Sequence, residues 1–419
     1  MRIAMLTNNY KPFVGGVPIS IERLSEGLRE LGHEVYIFAP SYEGQVEEPY
    51  VIRYRSHKKK LRGKMVVPNI LDQSIEFGFS QMTFDIIHVH HPMLMGYIAH
   101  YLGWKYNVPI VFTYHTRYEQ YLHYLPPYDY LQRYCDGKSN SKIRRLEKKV
   151  FYQGSEKLVT VHNRVFTNKC NLVLAPTYSM KEYLLDNGTM TNVEIIPTGL
   201  LEKDFYYDTD KSKGIRDRSI RGRKYLFCTV SRLEKEKNIS FLFGGLAKLK
   251  ESMGDCFRLL LIGDGSERGN LELEASNLGI GDNVVFTGSL DHDELPNYYS
   301  ACDGFLFASR SETQGIVLLE AMAVGLPVVA VEASGVNDVV KDGFNGYLSE
   351  LDIDQWVDKL TLLIEKEGTR EWMGRNAIVE AKRYLSSNVS RKVEQLYYDQ
   401  IASENISRLS EISIYDRKI

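Results

Sequence analysis

The chain alternates short apolar runs with amphipathic, helix-like stretches, and it does so twice. In the first half "RIAMLT" precedes "ISIERLSEGLRELG", whose Ile19, Ile21, Leu24, Leu28 and Leu31 fall near helical spacing; Gly32 closes that helix and "HEVYIFAP" follows. "DIIHVH" (85–90), "PIVFTYH" (109–115), "NLVLAPT" (171–177) and "VEIIPTG" (193–199) continue the pattern. It restarts with "YLFCTVSRL" (225–233), "FRLLLIGDG" (257–265), "NVVFTGSL" (283–290), "GFLFAS" (304–309) and "LPVVAVEA" (326–333). Runs this short and this apolar read as buried strands, and strands alternating with helices build a parallel, doubly wound sheet. A chain of 419 residues exceeds one comfortable core, so the pattern predicts an α/β protein of two Rossmann-like domains facing a deep cleft. The polar stretch "YYDTDKSKGIRDRSIRGRK" (206–224) is the expected linker between a first domain over 1–205 and a second over 225–385. The helical segment 386–419 is expected to pack back across the junction.

Composition is that of a globular chain. "MRIAMLTNNY" lacks the basic and apolar regions of a signal peptide, and no window approaches the ~20 apolar residues of a membrane span, which predicts a cytoplasmic or peripheral protein. The five cysteines (Cys135, Cys170, Cys228, Cys256, Cys302) form no CxxC and have no His at ligand spacing, so they read as reduced thiols. Charge is divided unevenly. Residues 1–200 hold 24 Lys and Arg against 18 Asp and Glu, or +6, leaving 28 against 36, or −8, for the remainder. "RYRSHKKKLRGK" (53–64) and "KIRRLEKK" (142–149) supply much of the excess. Such runs commonly form solvated faces; on a nearly neutral protein they also fit docking onto an anionic membrane, where each basic group contributes about 1 kcal/mol.

In open α/β sheets ligands sit beyond the carboxyl ends of the strands, so the informative residues follow each apolar run. After the first comes Gly15-Gly16, which lets the backbone and a helix N-terminus approach an anion, or simply makes a turn. "SRLEKEKN" (231–238) places Arg232 and Lys237 at a strand-to-helix junction, where two cations can converge on one diphosphate or lie on a solvated loop. In "IGDGS" (262–266), Gly263 and Gly265 would let a nucleotide close to the backbone; Arg268 stands where a dinucleotide fingerprint needs glycine, which disfavours a nicotinamide cofactor. "SETQGIVLLEAMAVGLPVV" (311–329) places Glu312 in a loop and Glu320 inside the following helix. Eight residues of helix rise ~12 Å, beyond the ~5–5.5 Å of a retaining glycosidase pair. The spacing suits two hydroxyl grips at opposite ends of a sugar nucleotide better than an acid/base pair.

"GGV", "SRLEKEKN", "IGDGS" and the E-x7-E of "SETQGIVLLEAMAVGLPVVA", in this order and across almost the whole chain, resemble the motif set of the retaining GT-B glycosyltransferases of family GT4. The resemblance implies a GT-B fold with an acceptor-binding N-terminal domain and a C-terminal domain that holds the nucleotide-sugar. It implies that Glu312 binds donor hexose hydroxyls and Glu320 the ribose hydroxyls. Arg232 and Lys237 would neutralise the diphosphate, aided by the Gly15-Gly16 loop and the backbone around Gln314 and Gly315. His115 matches a family histidine beside the donor sugar; the alternative is a satisfied histidine at a strand end. The family uses no DxD metal, so Asp291-His-Asp293 and Asp208-Thr-Asp210 are expected to be structural, and neither metal nor cofactor is expected. Transfer would be front-face and retaining, with the departing phosphate taking the acceptor proton.

"HVHHP" (88–92) and "FTYHTRYEQYLHYLP" (112–126) look more particularly like the family members that make monoglucosyl-diacylglycerol. His88 and His90 share one strand face with no Cys, Asp or Glu beside them, which makes a metal improbable. Seven tyrosines (114, 118, 121, 124, 128, 130, 134) read as packing or as a membrane-interface belt. The favoured expectation is transfer of a hexose, glucose from UDP-glucose, to a lipid such as diacylglycerol, with peripheral contact on an anionic membrane and no nucleic-acid partner. The alternatives are a soluble glycan or polyol acceptor, and a non-catalytic sugar-nucleotide-binding module.

Overall fold

The computed structural model describes residues 1–13, 15–60, 66–119, 142–310 and 312–416, with backbone alone over 58–60, 142–153 and 407–416. Tyrosines 121, 124, 128, 130 and 134, Cys135, Ser311 and the end of the 53–64 basic run lie outside the described residues.

Each apolar run named above forms a strand. In the first unit β1 (Arg2–Leu6), β2 (Glu34–Pro40) and β3 (Val51–Tyr54) are followed by a hairpin, β4 (Ser56–Lys60) and β5 (Val66–Pro68), then by β6 (Ile86–Val89), β7 (Ile110–Thr113), β8 (Leu172–Ala175) and β9 (Val193–Ile195). The main sheet runs β3-β2-β1-β6-β7-β8-β9 with every neighbour parallel. Helices cover both faces because the strands are apolar on both: Ala4, Leu6, Ile87 and Phe112 are buried on one side, Ile3, Met5, Ile86 and Val111 on the other. The second unit repeats the plan with β10 (Tyr225–Val230), β11 (Phe257–Ile262), β12 (Val284–Gly288), β13 (Gly304–Phe307), β14 (Val328–Val331) and β15 (Gly346–Ser349), ordered β12-β11-β10-β13-β14-β15 and again parallel throughout. In each sheet the order reverses at the first strand, β1 between β2 and β6, β10 between β11 and β13. Those switch points are where loops diverge and leave room for a ligand.

The compact units are Met1–Pro197 with Val389–Ile419, and Thr198–Asn388. The division corrects the linker expected at 206–224. Thr209–Ile220 is a helix of the second unit, N-capped by Asp208, whose carboxylate accepts from the Asp210 and Lys211 amides at 2.9 and 3.0 Å. It buries only Ser212 and Ile215. A helix resting on so narrow an apolar contact has the composition of a linker. The last helix, Ser386–Asp416, sets Val389, Val393 and Tyr397 into the core of the first unit. His33 pairs with Glu394 there at 2.7 Å, and Lys392 donates to the Ile195 carbonyl at 2.9 Å.

Candidate functional site

In the second unit the candidate residues gather on the loops after β10, β11 and β13. The loop after β10 leads through Ser231 and Arg232 into a tight turn at Lys235–Lys237, ended by Asn238 in the left-handed conformation, and the helix Ile239–Met253 begins. The loop after β11 is stitched to it. Leu233 donates to the Asp264 carbonyl, Glu267 to that of Leu233, both at 3.0 Å, and Glu234 accepts from the Ser266 amide and hydroxyl at 3.2 and 2.7 Å.

This contact gives the two glycines a structural reason. A Cβ on Gly263 (φ 132°) would fall 1.9 Å from the Ser231 carbonyl oxygen, and one on Gly265 2.4 Å from that of Leu233. The space their Cβ atoms would take holds the neighbouring loop, so glycine here lets two backbones touch. Gly263→Ala is therefore expected to lower stability by at least about 2 kcal/mol, through clash and a forbidden φ. A thermal melt within about 1 °C of the wild type would contradict that.

The loop after β13 carries Glu312. Lys237 Nζ lies 2.5 Å from Glu312 Oε1, with the two side chains 14% and 15% exposed. Arg232, 46% exposed, pairs with Glu236 at 3.2 Å. The two cations thus lie near one another in sequence but each faces a carboxylate of its own. Gln314 spends its side chain on structure: its amide oxygen accepts from the Thr198 backbone N–H at 2.7 Å and its nitrogen donates to the Thr198 carbonyl at 3.0 Å. Gly315, at φ 72°, N-caps the helix Ile316–Ala323. Gly335 stands so close behind this loop that a Cβ would meet the Thr313 carbonyl carbon at 2.7 Å.

Glu320 lies in the second turn of that helix, as the spacing predicts, and is 4% exposed. His292 Nε2 sits 3.0 Å from its Oε1, and the Tyr299 hydroxyl donates to its Oε2 at 3.4 Å. Burial, then the adjacent Glu320 charge, raises Tyr299 well above the usual phenol range, so the hydroxyl keeps its proton and remains a donor. Neither partner was identified from sequence; "DHDEL" read there as structural. Asp291 does cap the turn His292–Glu294, and in doing so sets His292 in place.

In the first unit, Gly15 precedes the helix Gly16–Glu30 without a side-chain cap. A Cβ on Gly16 would meet nothing within 4 Å, whereas one on Gly15 would lie 3.1 Å from the Phe13 ring. His88, His90 and His115 form a stack at the ends of β6 and β7, with ring centroids 4.3 and 5.1 Å apart. His90 Nδ1 and His115 Nε2 share a hydrogen bond of 2.9 Å; His88 bonds the hydroxyls of Tyr397 and Thr113, both at 2.6 Å. Burial pushes His88 and His115 down to about 3 and lowers His90 as well, so the stack is neutral at pH 7. Among the described residues no three metal-ligating side chains come together as a metal site. Tyr114 and Tyr118 pack against each other, edge to face, at 6.3 Å.

Residues 14–200 match the model of Glycosyltransferase Family 4, and 210–379 that of Glycosyl transferases group 1. An alpha-monoglucosyldiacylglycerol synthase of Acholeplasma laidlawii is 27% identical over 97% of this chain and 98% of its own. The sulfoquinovosyl transferase of Arabidopsis thaliana is 30% identical over 92% of this chain and 71% of its own. The crystal structure of HepE from Anabaena in complex with UDP superposes with a TM-score of 0.72 at 17% identity, covering 95% of this chain and all of that one.

Proposed function

The chain belongs to the GT4 glycosyltransferases of GT-B fold, and we propose that within that family it moves a hexose, glucose from UDP-glucose, onto a lipid hydroxyl such as that of diacylglycerol. Near full-length similarity to an alpha-monoglucosyldiacylglycerol synthase supports the lipid acceptor. The observation that carries the mechanism is the Lys237–Glu312 pair at 2.5 Å. One group suited to sugar hydroxyls and one suited to a phosphate oxygen meet there, as the junction of hexose and diphosphate requires. Arg232, on the same loop and half exposed, adds a second cation for the leaving group. Glu320, steadied by His292 and Tyr299, takes the ribose hydroxyls. In the first unit, the helix N-terminus at Gly15-Gly16 suits the diphosphate, and His115 the hexose.

The reaction breaks the bond from the anomeric carbon to the β-phosphate oxygen and forms one from that carbon to the acceptor oxygen on the same face. The acceptor proton passes to the departing phosphate. Catalysis is then charge stabilisation on that phosphate plus positioning. Lys237 and Arg232 supply the first, Glu312 and Glu320 the second. No helix among the described residues is long and apolar enough to cross a membrane, so we assign the lipid contact to a peripheral surface.

The test is a mass-spectrometric screen of UDP- and GDP-hexoses against diacylglycerol in vesicles and against soluble glycans and polyols. The expected product is an α-hexosyl-diacylglycerol from UDP-glucose. Transfer to no lipid across the donor panel overturns the acceptor, product formed equally well without vesicles favours a soluble one, and a β-linked product overturns retention.

A further inference from the structure

Exposed apolar side chains on a folded surface are usually scattered. Two helices of the first unit present theirs in stripes. On Met95–Tyr106 the exposed residues Tyr97, Tyr101 and Trp104 recur at i, i+4 and i+7, with Trp104 78% exposed, while Met95, Ala99 and Leu102 are buried on the other face. On Lys142–Thr167, Leu158, Val161 and Val165 recur at i, i+3 and i+7, all exposed, with Val159 and Phe166 buried behind them. The stripes adjoin, since the Tyr97 hydroxyl and His162 Nε2 share a 2.8 Å hydrogen bond. Their rim is mostly basic. Lys157 and Arg164 are exposed beside the aliphatic stripe, with Glu156 next to Lys157, and Lys105 beside Trp104 is paired with Glu76, which also accepts from the Tyr101 hydroxyl at 3.0 Å. Met95–Tyr106 has no acidic residue, and 142–167 holds seven basic residues (142, 144, 145, 148, 149, 157, 164) against two acidic (147, 156).

An aromatic stripe of Tyr and Trp beside an aliphatic one flanked by Lys and Arg has the chemistry of the membrane–water boundary. The rings sit at headgroup level, the aliphatic groups reach the acyl region and the cations meet lipid phosphates. A protein interface is instead depleted of charge at its core, and a second copy of this chain would bring a second excess of positive charge. We propose that this face, centred on Tyr97, Trp104 and Val161, docks on an anionic lipid bilayer. It locates the contact on two helices rather than on the basic run 53–64 and does not depend on which acceptor the enzyme uses.

The test uses the full chain and vesicles of phosphatidylcholine, alone or with phosphatidylglycerol, and no diacylglycerol. Salt-sensitive co-sedimentation with the anionic vesicles is expected, falling about tenfold or more in W104E/V161E, whose changes sit at solvent-facing positions. Brominated acyl chains should quench Trp104, and W104F should lose that quenching. Turnover on detergent-dispersed acceptor should stay within about twofold of the wild type. Unchanged sedimentation of W104E/V161E, quenching that persists in W104F, or conversion of a dimer to a monomer by W104E/V161E would each overturn the proposal. Failure of the acceptor reading shows in the transfer screen and leaves vesicle binding intact.

Discussion

Replacing Lys237 by alanine is expected to lower turnover at saturating donor by about 10²–10³-fold, the loss seen when one preorganised stabiliser of developing charge is removed. The argument rests on burial as well as charge. Lys237 is 14% exposed beside Glu312 at 15%, so the ammonium acts with little screening by water. In the proposed transfer, negative charge grows on the β-phosphate as the anomeric bond breaks, and a fixed cation there is worth more in the transition state than in the bound donor. Affinity for free UDP should therefore change less than turnover. Lys237→Arg, which keeps the charge but not the compact shape, should recover only part of the rate. Steady-state kinetics with calorimetric UDP binding decides the matter; turnover of Lys237→Ala within about fivefold of the wild type would remove the lysine from the mechanism.

The second large effect belongs to Glu320. Its carboxylate is 4% exposed and accepts from Tyr299. Hydrogen bonds to a charged acceptor are worth about 1.5–3 kcal/mol each, so losing the proposed ribose contacts in Glu320→Ala should weaken UDP binding about 10–100-fold. Glu312→Ala should spare UDP affinity and reduce turnover and hexose selectivity; equal effects of the two on UDP binding would contradict their separate roles. The buried Tyr299 hydroxyl also loses its acceptor in Glu320→Ala, and the melting temperature should drop with it. Ribose can be separated from scaffold by comparing UDP with its 2′-deoxy analogue. The wild type should prefer UDP, and Glu320→Ala should bind the two alike. A variant that still discriminates between them would place Glu320 outside the ribose contact.

What sequence can and cannot disclose follows from how each element earns its stability. Strands β1 and β10 are apolar on both faces because both faces are covered, and such runs stand out without any structure. The strand Val51–Tyr54 lies at a sheet edge, and so does Gly346–Ser349; each is four residues long and half polar, with nothing to separate it from a loop. The helix Thr209–Ile220 was hidden for the related reason that it buries little. The candidate residues Glu312, Glu320, Arg232 and Lys237 stand out in the sequence because order along the chain carries their pattern. His292 and Tyr299 were not, because they meet Glu320 from 28 and 21 residues away through tertiary packing. Gly263 and Gly265 also touch the backbone of the neighbouring loop, which no sequence discloses: it shows that a side chain is excluded, not what excludes it.

The last helix imposes an order on biosynthesis. Val389, Val393 and Tyr397 complete a core whose other members include Ile3, Met5, Ile21 and Val35. The segment made first thus stays open along one side until residues near 397 have left the ribosome, while Thr198–Asn388 has all its own strands well before then. Folding by domain from the N-terminus is the common course for a nascent chain. Here the second unit can close first, and the first keeps an uncovered apolar face until that helix has been made. A message truncated shortly before codon 389 would yield a second unit able to fold and a first unit left with an uncovered apolar face.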